Sequence, residues 1–233
     1  MAISLIDKSQ RTAAKIAGVA FPISFAIVVA VNYGVFASLI VRGNAAETAR
    51  NILAHQTLFR IGVAGNMAYC ATDVVLLSAL YVILKPVSQY IALLAVVGRL
   101  IYALMWLLVT LNLFTALRLL TDVDYSRAFG PEQLPALARL YLSGYDAYYV
   151  GLLFWGLGAT AGSYLWFKSK YVPRALAAFG LISSAWCAAC TFVFYIFPGF
   201  QKTVNLSWFD SPMALFELAL SFWLLFKGLR SSE

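Results

Sequence analysis

The chain has 233 residues, 62% of them hydrophobic and only 12% charged, where soluble domains sit near a quarter charged. That composition, with several apolar runs of membrane-spanning length, excludes a soluble globular enzyme and points to an all-α polytopic membrane protein. The net charge of +7 does not indicate nucleic acid, because no soluble domain exists to carry a basic patch; the positive-inside bias of membrane loops accounts for it.

The sequence predicts one bundle over residues 1–233, a single six-helix transmembrane domain with spans at about 16–41, 57–84, 89–120, 143–167, 174–197 and 211–227. Residues 1–15 are polar, with Lys8, Arg11 and Lys15. The apolar run from Ile16 to Val41 is too long for a signal peptide and no small-residue cleavage site follows it. It reads as an uncleaved first span, kinked at Pro22. Gly43 to Gln56 is polar and helix-prone, and predicts a short extracytoplasmic helix at the interface. The second span ends at Lys85-Pro86, a tight turn, and the third carries Arg99.

Thr121 to Gly130 reads as a polar loop with Asp122, Asp124 and Arg127. Pro131 and Glu132 then open a helix, with proline in the first turn and an acid at the positive end of the helix dipole. Its first part, to Leu142, is only half apolar and stands outside the bilayer. The membrane part carries Gly158 and Gly162, a small-xxx-small pair that lets a neighbouring helix approach. The fifth span ends at Pro198-Gly199. A loop with Lys202 and Asp210 leads to Ser211-Pro212, which reads as the cap and first residue of the sixth span.

Six spans place both termini on one side. That side holds Lys8, Arg11, Lys15, Lys85, Lys168, Lys170, Arg174, Lys227 and Arg230, whereas most loop acids face the other. Both termini are therefore predicted to be cytoplasmic. No internal repeat supports an inverted-repeat transporter.

Three charges fall at one depth. At about 1.5 Å of rise per residue, Asp73 stands about 18 Å from Lys85 and Arg99 about 15 Å from Gln89. Asp73 and Arg99 are equidistant from Pro86, so an antiparallel pair joined by a short turn brings them level. Glu217 stands about 15 Å before Lys227. A carboxylate at mid-membrane costs a few kcal/mol even on lenient scales, so the three are predicted to cluster inside the bundle. Arginine suits this role because its planar fork can serve two carboxylates. Two acids against one base leave one negative charge in excess, balanced by a proton or by a ligand cation. The plainer reading is an ion cluster that only locks helices together. Intramembrane ionisable groups more often line a pocket or pathway.

Asn66, Tyr69 or Cys70, and Asp73 share a stripe of the second span, with Arg60 further outward. Arg99, Tyr102 and Trp106 share a stripe of the third, and Asp146 lies near the outer interface of the fourth. Polar groups thus continue outward from mid-depth, and predict an aromatic-walled ligand-binding pocket opening outward, floored by the charge cluster. The plainer readings are an aromatic belt for the tyrosines and a snorkelling Arg60. His55 is the only histidine, which excludes a bis-histidine haem and a histidine-rich metal site; no cofactor and no metal are predicted. Cys187 and Cys190 have redox spacing, but they lie mid-helix in an apolar run and read as small core residues.

The segments NILAHQTLFRIG, LYVILKPVSQYIALLA, FGPEQL and FELALSFWLLFKGLR, in this order, resemble a family of bacterial six-helix membrane proteins known as a domain of unknown function, of the 4386 type. The resemblance spans about Arg11 to Gly228. It implies a six-span membrane protein and transfers no activity or site residue. From the residues alone, the expected function is binding of a membrane lipid or small amphiphilic molecule. The alternatives are a membrane enzyme on an isoprenoid or lipid substrate, with a protonated carboxyl as general acid, or a proton-coupled carrier, which would need a homo-oligomer. Aspartate-rich diphosphate motifs are absent, which disfavours prenyl transfer.

Overall fold

A computed structural model describes residues 6–41, 43–130, 133–143 and 146–230, and no strand occurs among them. Six stretches are long and apolar enough to cross a membrane: Lys8–Leu39, Gln56–Leu84, Gln89–Thr121, Gln133–Ser169, Arg174–Ile196 and Ser207–Phe226. This is the architecture of a multi-pass membrane protein. Large apolar side chains such as Ile182, Leu215 and Phe226 stand more than half exposed, a surface suited to lipid rather than water.

The helices are α1 (Lys8–Val29), α2 (Ala45–Ala54), α3 (Gln56–Leu84), α4 (Gln89–Thr121), α5 (Val123–Ala128), α6 (Gln133–Leu142), α7 (Asp146–Ser169), α8 (Arg174–Ile196) and α9 (Ser207–Phe226). By contact density the chain divides into two compact units. The first comprises Met1–Ile23, Thr72–Ala103 and Tyr149–Glu233; the second comprises Ser24–Ala71 and Leu104–Tyr148.

In the first unit, α1 opens on a reciprocal cap. The Gln10 N–H donates to Asp7 Oδ1 at 2.7 Å and the Asp7 N–H to Gln10 Oε1 at 3.2 Å. The Gln10 amide also donates to the Ile83 carbonyl and the Tyr171 hydroxyl, both buried, and so ties α1 to the end of α3. The core holds Ala14, Ala17, Leu76, Ile83, Leu165, Trp166, Phe216 and Leu224.

Lipid tails are as apolar as leucine, so packing inside a membrane protein depends on close approach rather than on escape from water. Glycines supply that approach here. A Cβ built on Gly98 of α4 would stand 2.9 Å from the Cα of Gly158 of α7. One built on Gly156 would stand 2.8 Å from the backbone of Ala188 on α8, and one on Gly18 of α1 2.8 Å from that of Leu225 on α9. The expected role of Gly158 is therefore met, with α4 as the neighbour, whereas Gly162 has only ordinary contact with the Ala95 side chain.

The start of the sixth span differs from expectation. Asp210, Ser211 and Pro212 lie inside α9, which begins at Ser207. Pro212 has no N–H for the carbonyl four residues back, that of Trp208. The indole N–H of Trp186, on α8, donates to that carbonyl at 2.9 Å instead. A side chain from another helix thus replaces the missing backbone bond and lets the helix run through the proline.

In the second unit, the first span continues past α1 as a π-helix, Ala30–Phe36, and a last turn, Ala37–Leu39. Pro22, in the first unit, lies inside α1 without ending it. The short helix expected after the first span is α2. Asn44 caps it by accepting from the Glu47 N–H, while the Asn44 amide donates back to the Glu47 carboxylate. It packs against α6. The expected loop after the third span contains α5, capped by Asp122, whose Oδ1 accepts from the Asp124 N–H at 2.9 Å. Pro131 and Glu132, read as the opening of the next helix, lie outside the described residues.

Candidate functional site

Asp73, Arg99 and Glu217 meet inside the first unit, from α3, α4 and α9. The guanidinium donates to Asp73 Oδ1 through Nε at 3.2 Å and Nη2 at 3.1 Å, and to Glu217 Oε1 through Nη1 at 2.5 Å. All three side chains are buried, Asp73 completely. The α3–α4 turn explains the Asp73–Arg99 level. The Lys85 and Val87 N–H groups close it onto the Tyr81 and Leu84 carbonyls, and it leaves the two residues equidistant from Pro86. The Gly98–Gly158 crossing sets the depth of Arg99 against α7, since Gly158 also lies against the Arg99 backbone N–H.

Two aromatic residues complete the cluster and were not anticipated. Trp155 of α7 donates its indole N–H to Glu217 Oε1 at 2.9 Å. Its ring and that of Phe21 on α1 lie 5.4 and 5.2 Å from the guanidinium carbon, within the range of cation–π attraction. Tyr102 stacks on Trp155 with ring centroids 4.7 Å apart. The signal for Trp155 was its position thirteen residues before Lys168, about 20 Å deep, where an indole N–H needs a protein acceptor. No sequence signal separates Phe21 from the other apolar residues of α1.

Among the described residues, Asp73 Oδ2, Glu217 Oε2 and the hydroxyl of Ser163 are buried and have no hydrogen-bond partner. Two of these residues, Glu217 and Ser163, line a cavity of about 60 Å³. One end of the cavity is formed by Arg99, Trp155 and Glu217; its walls are apolar, with Leu80, Leu84 and Leu224 towards the Lys85–Pro86 end of the unit. The space exists because the helices carry small residues there, Ala17, Ala95, Gly158, Ala159 and Gly162, whereas a hydropathy reading sees that half only as apolar.

The remaining candidates divide between the units. Tyr102 belongs to the first. Asn66, Tyr69, Arg60 and Trp106 belong to the second, where Tyr69 packs edge-on against Trp106 at 5.6 Å and Trp106 against Tyr148 at 5.7 Å. Asn66 is fully buried, and neither atom of its amide has a hydrogen-bond partner among the described residues. Arg60 is exposed. Asp146 is the first residue of α7, and its side chain lies outside the described residues. Cys70, Cys187 and Cys190 are buried free thiols. Among the described residues no group of three histidine, cysteine or acidic side chains could hold a metal ion.

Residues 16–228 match the family model described as "Domain of unknown function (DUF4386)". No curated protein and no solved structure matches the chain.

Proposed function

The chain belongs to the DUF4386 family, and from that premise we propose that it is a multi-pass protein of the bacterial inner membrane that binds a small amphiphile within its first unit. The ligand's polar end sits at Arg99 and Glu217, and its apolar part follows the cavity towards Leu84 and Leu224. The observation that carries this reading is an apolar-walled cavity lined at one buried end by two members of the ion cluster, Arg99 and Glu217. An ion cluster serving only as a lock gains from having every oxygen satisfied and no space beside it.

The volume narrows the ligand. Drug-sized and lipid-sized ligands occupy roughly 300–1,000 Å³, well above the 60 Å³ present. One water needs about 10–15 Å³ on the same measure, so the cavity has room for about four to six water-sized groups.

Trp155 and Trp166 line the cavity, so tryptophan emission provides the test. A short bromoalkanol such as 3-bromopropanol, added to the chain in nanodiscs, should quench in a saturable step. Ala159→Leu, which fills the space, should abolish that step. Quenching that rises linearly, and equally in both proteins, overturns the reading.

A further inference from the structure

The first unit carries a second concave feature, which shares no lining residue with the cavity at Glu217. It is a groove of about 530 Å³ between α8 and α9, bordered by the turn at residues 203–205. Ile182 and Trp208 on its walls are 70% and 63% exposed, so it opens on the outside of the bundle. The small Ser183 makes the room, among the larger Phe179, Ile182 and Trp186 of α8. The Ser183 hydroxyl donates to the Gly180 carbonyl and the Trp186 indole N–H to the Trp208 carbonyl, so both donors of the α8 wall are already used. Helix rise then gives the depth. Trp208 stands nineteen residues before Lys227, about 28 Å away, close to the ~30 Å thickness of a hydrocarbon core. Phe179 packs edge-on against Phe216 with ring centroids 6.4 Å apart, and Phe216 is only about 16 Å from Lys227. The groove therefore runs from mid-membrane to the interface opposite Lys227, over about the depth of one leaflet. Its outer end carries Thr203 and Asn205, both exposed, directly after the exposed Lys202.

We propose that this groove is a phospholipid site: it holds one acyl chain from the leaflet opposite Lys227, and the lipid's phosphate accepts from Thr203 and Asn205 beside Lys202. The volume lies within the roughly 300–1,000 Å³ of ligand-sized sites. The order of the walls matches the order of a lipid's parts. Phe179 and Ile182 line the mid-membrane end, Trp186 and Pro212 follow, and hydroxyl, amide and ammonium groups stand at interface depth. Trp208, at that depth, belongs to a residue type favoured at membrane interfaces. Asn205 Oδ1 accepts from the Ser207 N–H at 2.9 Å, which leaves the amide NH2 as the group that donates to a phosphate. A membrane-spanning helix of another protein would need a face continuing past mid-depth, where this groove ends. The site is independent of the small cavity, and either can exist without the other.

The test is native mass spectrometry of the full chain, delipidated in detergent and titrated with dioleoylphosphatidylglycerol. One lipid should bind at least tenfold tighter than any that follows. Ile182→Trp enlarges a groove wall at a position exposed enough to accept it, and should weaken that first lipid at least tenfold. Leu215→Trp is the control, since Leu215 is 61% exposed on α9 and does not line the groove; it should leave the affinity unchanged. Thr203→Val combined with Asn205→Asp removes both donors while keeping an acceptor for the Ser207 N–H, and should also weaken the first lipid about tenfold. Adducts of graded affinity with no distinct first lipid, or equal loss in Ile182→Trp and Leu215→Trp, would mean general lipid contact and overturn the site. Oleate binding as tightly as the phospholipid, or full affinity in the Thr203→Val, Asn205→Asp variant, would mean that no phosphate is held there and would overturn the phospholipid assignment.

Discussion

Gly98 and Gly158 touch through their backbones, one residue away from the only arginine in the charge cluster. A Cβ on Gly158 would lie 2.8 Å from the Ala95 carbonyl and 3.1 Å from the Arg99 amide nitrogen. Neither neighbour is a flexible side-chain tip that could give way. Overpacking of this kind costs about 1–3 kcal/mol, so Gly98→Ala and Gly158→Ala should each lower the unfolding midpoint in detergent. Gly162→Ala is the control. Its added methyl meets the Ala95 Cβ at 3.7 Å, an ordinary contact, and should leave the midpoint unchanged. Equal loss in all three would mean that the effect comes from general membrane-helix behaviour and not from this crossing.

Trp155 performs two jobs that substitution can separate. Trp155→Phe keeps a ring against Arg99 and Tyr102 but deletes the N–H that reaches Glu217. Hydrogen bonds between membrane helices contribute about 0.6–2 kcal/mol, and the loss should fall in that range by chemical denaturation. Trp155→Ala removes the ring as well and should cost more, about 3–5 kcal/mol for a buried aromatic. If the phenylalanine variant is as unstable as the alanine variant, the N–H is the dominant contribution and the ring is secondary.

Asp73, Arg99 and Glu217 were legible because helix rise and a short turn convert sequence distance into depth. Two residues equidistant from Pro86 had to come level, and charge required them to face inward. Trp155 and Phe21 were not legible for a related reason. A span that is apolar all round carries no stripe to mark its buried face, so depth is readable and rotation is not. The cavity was hidden for the same cause, since it depends on which small residues happen to face one another. Ser211-Pro212 misled differently. It is a sound local signature for a helix start, overridden by Trp186 on another helix, and no local rule can see that partner.

Arg99 serves two carboxylates with one planar group, and lysine cannot reproduce that fork. Arg99→Lys should therefore destabilise, and Arg99→Met should do so more, by about 3–5 kcal/mol, because it strands two buried carboxylates. Adding Asp73→Asn and Glu217→Gln to Arg99→Met removes the stranded charge and should recover most of that loss. The triple variant also separates a lock from a binding site. Recovery of stability together with loss of saturable bromopropanol quenching is the outcome expected of a site. Recovery of both would leave the cluster with a packing role alone.

Cys187 and Cys190 have the spacing of a redox pair on α8, yet both are under 3% exposed and neither is joined in a disulfide. The Cys187 thiol lies 3.9 Å from the Leu152 carbonyl, and Thr191 turns its hydroxyl to the Cys187 carbonyl. Thiol exchange needs a thiolate that a partner can reach. N-ethylmaleimide applied to the folded chain should therefore leave both cysteines unmodified, before and after treatment with a reductant, and should label them fully once the chain is unfolded in hot detergent. Peptide mass spectrometry over residues 174–196 reads the result directly. Labelling of the folded chain that appears only after reduction would identify a working redox pair and contradict the packing role.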